Sequence, residues 1–189
     1  MTSGVPASRG APVTGIESKP AATLPKAGDR SADFRVYYGF PILQKSFFWD
    51  GNGENDEAGL KMRHLWHLTD DFAIGLGLTG SAWFIGGPDA FAAEGEAVGR
   101  YYAYRSEDLG VFAELTGGWI QSTRPIPVGG TEWNMTFSFG PGFEVPFDDR
   151  LNLLGGVTYH HVSNALGHEN RRNPSQNEVQ GWIGFSYRL

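Results

Sequence analysis

The sequence predicts an all-β fold: an eight-stranded antiparallel up-and-down β-barrel that crosses a membrane as a transmembrane barrel. Three observations lead to this prediction. Large apolar residues alternate with small or polar ones in eight segments, short acidic turns alternate with long links between those segments, and several segments are about ten residues or longer. Soluble strands usually have about five or six residues, whereas a tilted strand needs about nine to eleven to cross a bilayer.

The composition agrees with one such domain. The chain has 189 residues, of which 40% are hydrophobic, and this is enough apolar mass for one organised fold. Its 27 glycines and 14% aromatic residues suit closely packed strands that end at a membrane interface. The net charge of −6 and the lack of a Lys/Arg cluster argue against a nucleic-acid partner. Because there is no cysteine, disulfides and thiolate chemistry are excluded.

Residues 1–31 are predicted to form a disordered leader or linker, and residues 32–189 the barrel. The leader is rich in Pro, Ala, Ser, Thr and Gly and lacks the apolar core of a secretory signal. A membrane-spanning helix is not expected. The longest uncharged run, Phe72–Pro88, contains five glycines and a proline and is shorter than the roughly 20 apolar residues that such a helix needs.

The individual strands are predicted from a period of two in the apolar residues. The clearest strand, residues 72–79, alternates large and small side chains; a long one at 133–145 has an unbroken polar face, and the last, 179–189, is also two-faced. The other five segments are 33–42, 60–69, 97–106, 109–121 and 151–163. Residues 97–106 fit least well, because Arg100 and Arg105 fall on opposite faces.

The connections predict which ends of the strands lie together. Three of them are short and acidic, at residues 69–71, 106–108 and 146–149, and four are long, at 44–57, 83–96, 122–131 and 164–176. Strict alternation of short turns and long loops, with an even number of strands, is typical of barrels in the bacterial outer membrane. The short turns and both chain ends would then lie in the periplasm.

A soluble barrel or sandwich is the competing interpretation, with the same apolar face packed in a core. Strand length favours the membrane barrel, as do Trp66, Trp119 and Trp133, which lie on the apolar face near strand ends and suit an interfacial girdle. The membrane barrel has a polar lumen, which would be lined by the charged residues of the other face. These are Arg35, Lys61, Arg63, Glu114, Glu144 and Arg188.

The seventh predicted strand ends in an unusual way. Its apolar face, which includes Val157 and Tyr159, continues into His161 and Ser163. Residues i and i+2 of a strand share a face and lie roughly 7 Å apart, so the imidazole can reach the hydroxyl. A neutral imidazole can take the serine proton and create a nucleophile. On a lipid-facing wall, the substrate would be an ester already in the bilayer.

Structural roles have to be weighed against this chemistry. A histidine and a serine near a membrane interface, spaced as His161 and Ser163 are, more often serve structure than catalysis. His160 lies on the inward face and is expected to join a lumen network. His64 and His67 would face apart in a strand, so they predict no metal site.

The motif around these residues resembles a known family. The segments "HVSNA" at 161–165 and "NP" at 173–174, followed by the final strand, resemble the PagL family of lipid A 3-O-deacylases, with weaker similarity at 112–119 and 137–145. The resemblance implies an outer-membrane esterase that removes the 3-linked acyl chain of lipid A. It implies a serine, a histidine and an acidic residue, no cofactor, and lipopolysaccharide of the outer leaflet as the partner. Dimerisation is left open.

Applied to this sequence, the resemblance makes Ser163 the nucleophile, His161 the general base, and Asn164 with nearby backbone amides an oxyanion stabiliser. The third member has two candidates. Glu178 has the suitable carboxylate but the inward parity, and a bulge or one-residue offset in "NPSQNE" would be needed to turn it outward. Otherwise Asn177, on the outward parity, orients the imidazole by a hydrogen bond alone. The carboxylate makes Glu178 the slightly preferred candidate.

Further alternatives stay open from the sequence. Arg171 and Arg172, in the same link, either pair with lipid A phosphates or are solvated loop charges. The chain could also keep the barrel without catalysis and serve a structural or lipid-binding role in the outer membrane. A soluble barrel for a small ligand is the third class.

Overall fold

A computed structural model describes Met1 and residues 23–42, 54–164 and 175–189 of the chain. Every element in these parts is a β-strand. Each strand pairs antiparallel with the next in sequence, and the last pairs with the first, so the sheet closes into a barrel. The predicted eight-stranded up-and-down barrel is confirmed. The strands are β1 Arg30–Pro41, β2 Asp56–His67, β3 Phe72–Phe84, β4 Ala90–Arg105, β5 Gly110–Ile126, β6 Thr131–Pro146, β7 Leu151–Ser163 and β8 Gln176–Arg188.

The outer face of the barrel is apolar. Leu78 is 70% exposed, and Leu60 and Ile183 are exposed to nearly the same extent. Side chains of this kind alternate with buried residues along the strands, so they form a continuous belt around the barrel. A belt of this extent is unfavourable in water and stable against hydrocarbon. The predicted orientation, with bulky side chains facing lipid, is confirmed, and the soluble barrel with an apolar core is wrong.

The parts of the chain that the structure describes hold no helix long and apolar enough to cross a membrane.

The lumen contains a network of paired charges. The carboxylate of Glu114 accepts hydrogen bonds from Arg35 at 2.7 Å, from Arg63 at 2.6 Å and from Arg100 at 2.8 Å. Asp33 accepts hydrogen bonds from Arg35 and Arg100. Charges removed from water need such partners, and an eight-stranded barrel has an interior just wide enough for side chains to fill. The middle of the barrel is therefore a packed polar core.

Strand β4 begins seven residues before the predicted segment 97–106. Its outer face in this region carries one large residue, Phe91, followed only by Ala and Gly, and its inner face carries Glu94 and Glu96. The region therefore lacks the repeated large apolar residues on which the prediction relied. A register shift between Tyr102 and Tyr104 changes the parity within the strand. This bulge explains why Arg100 and Arg105 fell on opposite faces.

Two of the four predicted long links are short. The predicted links at 83–96 and 122–131 reduce to residues 85–89 and 127–130, because β3, β4 and β5 extend further than expected. The links at 42–55 and 164–175 are long, as predicted, and the turns at 68–71, 106–109 and 147–150 are short. The ends of the barrel are called the loop end, which carries the two long links, and the turn end, which carries the three short turns.

The chain enters the barrel across the turn end. The amide of Gly28 donates a hydrogen bond to the carbonyl of His67 at 2.8 Å, and that of Ala27 donates to the Asp70 carboxylate at 2.8 Å. Leu24 is buried. Residues 30 and 31, assigned to the leader from the sequence, are paired within β1, and residues 2–22 of that leader lie outside the described residues. The segment 23–29 is thus bound to the barrel by backbone hydrogen bonds.

Candidate active site at the loop end of β7

His161 and Ser163 lie on the outer face of the barrel, where the sequence predicted them. They continue the face that includes the half-exposed Val157, and Ser163 is the last residue of β7 at the loop end. Across the neighbouring strands, His161 is paired with Phe137 of β6 and with Asn177 of β8. The period of two along β7 therefore brings both polar side chains to the outer rim.

Three side chains form a chain of hydrogen bonds there. The Nε2 atom of His161 lies 3.1 Å from Ser163 Oγ, and the Nδ1 atom lies 2.6 Å from Asn177 Oδ1. An amide oxygen can only accept, so Nδ1 carries the proton and donates it to Asn177. The unprotonated Nε2 atom then presents its lone pair to the serine hydroxyl. This is the tautomer that a general base requires.

Tyr159 adds a second donor to the same amide oxygen. Its hydroxyl donates to Asn177 Oδ1 at 2.6 Å, so Oδ1 accepts from both Tyr159 and His161. Two donors on one oxygen hold the amide in the orientation that the histidine needs. Sequence reasoning treated Tyr159 as part of the apolar face and missed this role. Its position two residues before His161 on the same face was the available signal.

The site is sheltered although it is on the outer face. His161 is 6% exposed and Asn177 is fully buried, whereas Ile183, also outward on β8, is 66% exposed. Ser163 is half-buried. Hydrogen bonds in such a water-poor environment are stronger than in solution. The site is therefore a recess in the apolar belt, with the serine as its most accessible member.

Glu178 does not reach the histidine. The pairing of β7 with β8 runs without a register shift, with His160 opposite Glu178 and His161 opposite Asn177. Glu178 therefore points into the lumen, where its carboxylate accepts hydrogen bonds from Gln180 at 2.8 Å and Gln176 at 3.2 Å. The expected bulge that would turn Glu178 outward is absent from β8. The sequence preferred Glu178 for its carboxylate; the structure corrects this preference, since Asn177, the alternative third member, is the residue that contacts His161.

The remaining candidates have different outcomes. Asn164 directly follows Ser163 in the chain and is buried, and its oxyanion role stays a prediction. Arg171 and Arg172 lie outside the described residues. His64 faces outward against Trp66, and His67 faces the lumen, where it is bonded to Ser31 at 3.1 Å. These two histidines face apart, as predicted.

Comparisons with known proteins identify the fold. No family model matches the chain, and no curated protein matches it. Among solved structures, the outer membrane protein OprG from Pseudomonas aeruginosa is similar with a TM-score of 0.54 and 14% identity, over 87% of this chain and 97% of that one. Neisserial surface protein A (NspA) gives a TM-score of 0.53 and 11% identity, over 85% and 95%.

The N-terminal β-barrel domain of Pseudomonas aeruginosa OprF is also similar, with a TM-score of 0.50 and 12% identity over 84% of this chain and 97% of that one. At such low identities, these likenesses establish the fold alone. The chain has the small eight-stranded barrel fold of outer-membrane proteins. Together with its apolar outer belt, this places it in the outer membrane of a Gram-negative bacterium.

Proposed function

We propose that the protein is an outer-membrane ester hydrolase with Ser163 as nucleophile and His161 as general base. The observation that carries this proposal is the hydrogen-bonded chain from Ser163 through His161 to Asn177 on the lipid-facing side of the barrel. Nucleophile, base and orienting group in mutual contact form the arrangement by which serine hydrolases activate a hydroxyl.

The position of the site supports a lipid substrate. Ser163 lies at the loop end of the apolar belt, and we assign this end to the level where acyl chains of the outer leaflet join their polar headgroups. The resemblance of "HVSNA" at 161–165 to the lipid A 3-O-deacylases narrows the substrate to lipid A or a related lipopolysaccharide lipid. The proposed product is the fatty acid from the 3-O-linked position.

The reaction would proceed in two steps. Ser163 Oγ attacks the ester carbonyl while His161 Nε2 takes the hydroxyl proton, and the tetrahedral intermediate collapses when the histidine gives that proton to the departing sugar oxygen. The acyl-serine is then attacked by water, whose proton again goes to Nε2 and returns to Ser163 as the fatty acid leaves. Asn164 and backbone amides at the end of β7 would donate to the oxyanion.

Asn177 has a limited role in this scheme. Its amide oxygen orients the neutral imidazole, but it has no charge to stabilise the imidazolium that forms during each step. A hydrogen bond to a charged group contributes about 1 kcal/mol more than a neutral one. We therefore propose an active but slow hydrolase.

The test is release of fatty acid from purified lipid A in detergent micelles, followed by mass spectrometry. We expect Ser163→Ala and His161→Ala to lose hydrolysis by about a hundredfold or more. The matched controls are Ser186→Ala, a lumen serine of β8, and His64→Ala, an outward histidine of β2, and both should keep wild-type rates. Folding of each variant is checked by the mobility of the unheated barrel on a gel. Equal release by wild type and Ser163→Ala would refute the assignment.

One observation favours a second function, lipid binding without catalysis. Asn177 contacts His161 at the position where a Ser-His-acid triad has a carboxylate. A barrel of this kind could retain the lipid-facing recess and bind lipid A without cleaving it. Wild-type protein that binds lipid A but releases no fatty acid, even on prolonged incubation, would support this function over hydrolysis.

A further inference from the structure

We propose that the lumen binds one divalent transition-metal ion, represented by Zn²⁺, between Glu57, His160 and Glu178. One ligand atom from each of these residues lies within 4.8 Å of the others. Small side-chain rotations would bring such atoms to the roughly 2 Å metal–ligand distances of zinc sites, which accept imidazole nitrogen and carboxylate oxygen. This site departs from the sequence-based expectation of no metal, and it is independent of the proposed hydrolase activity.

The hydrogen bonding of His160 suits a metal ligand. His160 is 1% exposed, its Nδ1 atom lies 2.8 Å from Ser138 Oγ, and its buried Nε2 atom has no hydrogen-bond partner among the described residues. When Nδ1 donates to the serine hydroxyl, Nε2 presents a lone pair to which no described group donates a hydrogen bond. Metal-binding histidines are held in this way, by a hydrogen bond on the nitrogen opposite the metal.

The two carboxylates are paired with no cation of the described residues. Glu57 is 1% exposed and Glu178 is fully buried, and within the described chain neither forms an ion pair, whereas Glu96 and Glu114 are paired with lysine or arginine. Two carboxylates buried side by side cannot both ionise without a compensating charge. A dication bound with both carboxylates and a neutral imidazole gives a site with no net charge.

A second layer of hydrogen bonds holds the two carboxylates in place. Tyr37 donates to Glu57 at 2.6 Å, and Gln180 donates to both Glu57 at 3.0 Å and Glu178 at 2.8 Å. Gln176 donates to the other oxygen of Glu178 at 3.2 Å. Outer groups of this type fix the orientation of metal-binding carboxylates and raise affinity.

Gly39 on β1 makes room for the cluster. It is paired with Glu57 on one side and with Gln180 on the other, so the strand runs between the two glutamates. A Cβ atom at this position would lie 2.9 Å from Glu178 Oε2. The glycine thus allows Glu178 to extend across β1 toward Glu57, and Gly39→Ala should weaken metal binding without removing a ligand.

The ion would connect strands directly behind the recess. His160 and Glu178 form one cross-strand pair of β7 and β8, and His161 and Asn177 form the next, on the opposite face of the wall. Glu57 brings β2 to the same point. Binding would therefore tie three strands together at the loop end and raise the melting temperature of the barrel.

The test uses protein without a histidine tag, refolded in detergent, stripped with EDTA and dialysed against Zn²⁺. We expect about one zinc ion per chain by elemental analysis and a melting temperature above that of the stripped protein. His160→Asn and Glu178→Gln should lose both effects. His67→Asn, which alters a lumen histidine also bonded to a serine, and Glu144→Gln, which alters a lumen carboxylate near the turn end, should keep both.

Zinc that is absent from the wild type, or retained equally in His160→Asn, overturns the proposal. The first result would mean that the carboxyl pair holds a shared proton, and the second that zinc binds elsewhere. If the ligand variants do not fold, X-ray absorption of the zinc-loaded wild type identifies the zinc ligands without them. One imidazole nitrogen with oxygen neighbours is expected, and a shell of oxygens alone overturns the site.

Discussion

At the scale of single residues, the proposed activation of Ser163 depends on one amide oxygen. Asn177 Oδ1 accepts from His161 and from Tyr159, and this sets the tautomer of the imidazole. The positions of His161 and Ser163 were predictable because the alternation along β7 continues to its end. The partner was harder to predict. Chemical suitability favoured Glu178, but strand parity, which decides where a side chain points, favoured Asn177.

Substitution of Asn177 tests the role of this amide. Asn177→Asp adds a charge that stabilises the imidazolium, so we expect hydrolysis of lipid A to rise about five- to tenfold, the equivalent of roughly 1 kcal/mol. Asn177→Leu leaves the imidazole without an orienting acceptor and should lower kcat about a hundredfold. The two variants are compared by initial rates of fatty acid release. Equal rates for both would show that the side chain plays no part.

At the scale of elements, the register of neighbouring strands positions the site. Apolar alternation revealed the strands whose outer faces carry large side chains, such as β3. It located β4 poorly, because the middle of that strand has small outward residues and inward glutamates, and because a bulge lies between Tyr102 and Tyr104. Bulges are decided by local pairing between strands, and a single sequence does not show which residues oppose one another.

Gly140 of β6 is where close contact between β6 and β7 can be tested. A Cβ atom there would collide with the Val157 carbonyl oxygen and lie 2.8 Å from Thr158 Cα. Gly140→Ala should therefore destabilise the barrel by about 1–3 kcal/mol. Gly95→Ala on β4 is the matched control, since nothing lies within 4 Å of its added Cβ. Urea unfolding in lipid vesicles measures the stability of both variants. Equal unfolding midpoints for the two variants would contradict the close packing of β6 against β7.

At the scale of the whole molecule, the barrel has an apolar surface and a charged interior, the reverse of a soluble protein. Large apolar side chains cover its outer face, and the charged side chains in the middle of its lumen are paired. This arrangement followed from the parity of the charged residues and the length of the strands. The partners within the lumen could not be predicted, because Arg35 and Glu114 are 79 positions apart in sequence and meet only when the barrel closes.

Removing the central carboxylate tests the lumen network. Glu114→Gln leaves Arg35, Arg63 and Arg100 with one fewer buried counter-charge, and we expect a loss of about 3–5 kcal/mol in the free energy of unfolding. Glu107→Gln, in an exposed turn, should change it by less than about 0.5 kcal/mol. Urea titrations of the two variants give the comparison. Similar free energies of unfolding for the two variants would mean that the lumen network contributes little to the stability of the barrel.

The central claim is that His161 activates Ser163 on the lipid-facing rim. The most direct measurement is covalent labelling of the folded barrel with a lipid-like fluorophosphonate, followed by mass spectrometry of the labelled peptide. We expect an adduct on Ser163 of the wild type and none in His161→Ala. An unlabelled Ser163 in the folded wild type, or equal labelling in His161→Ala, would contradict it.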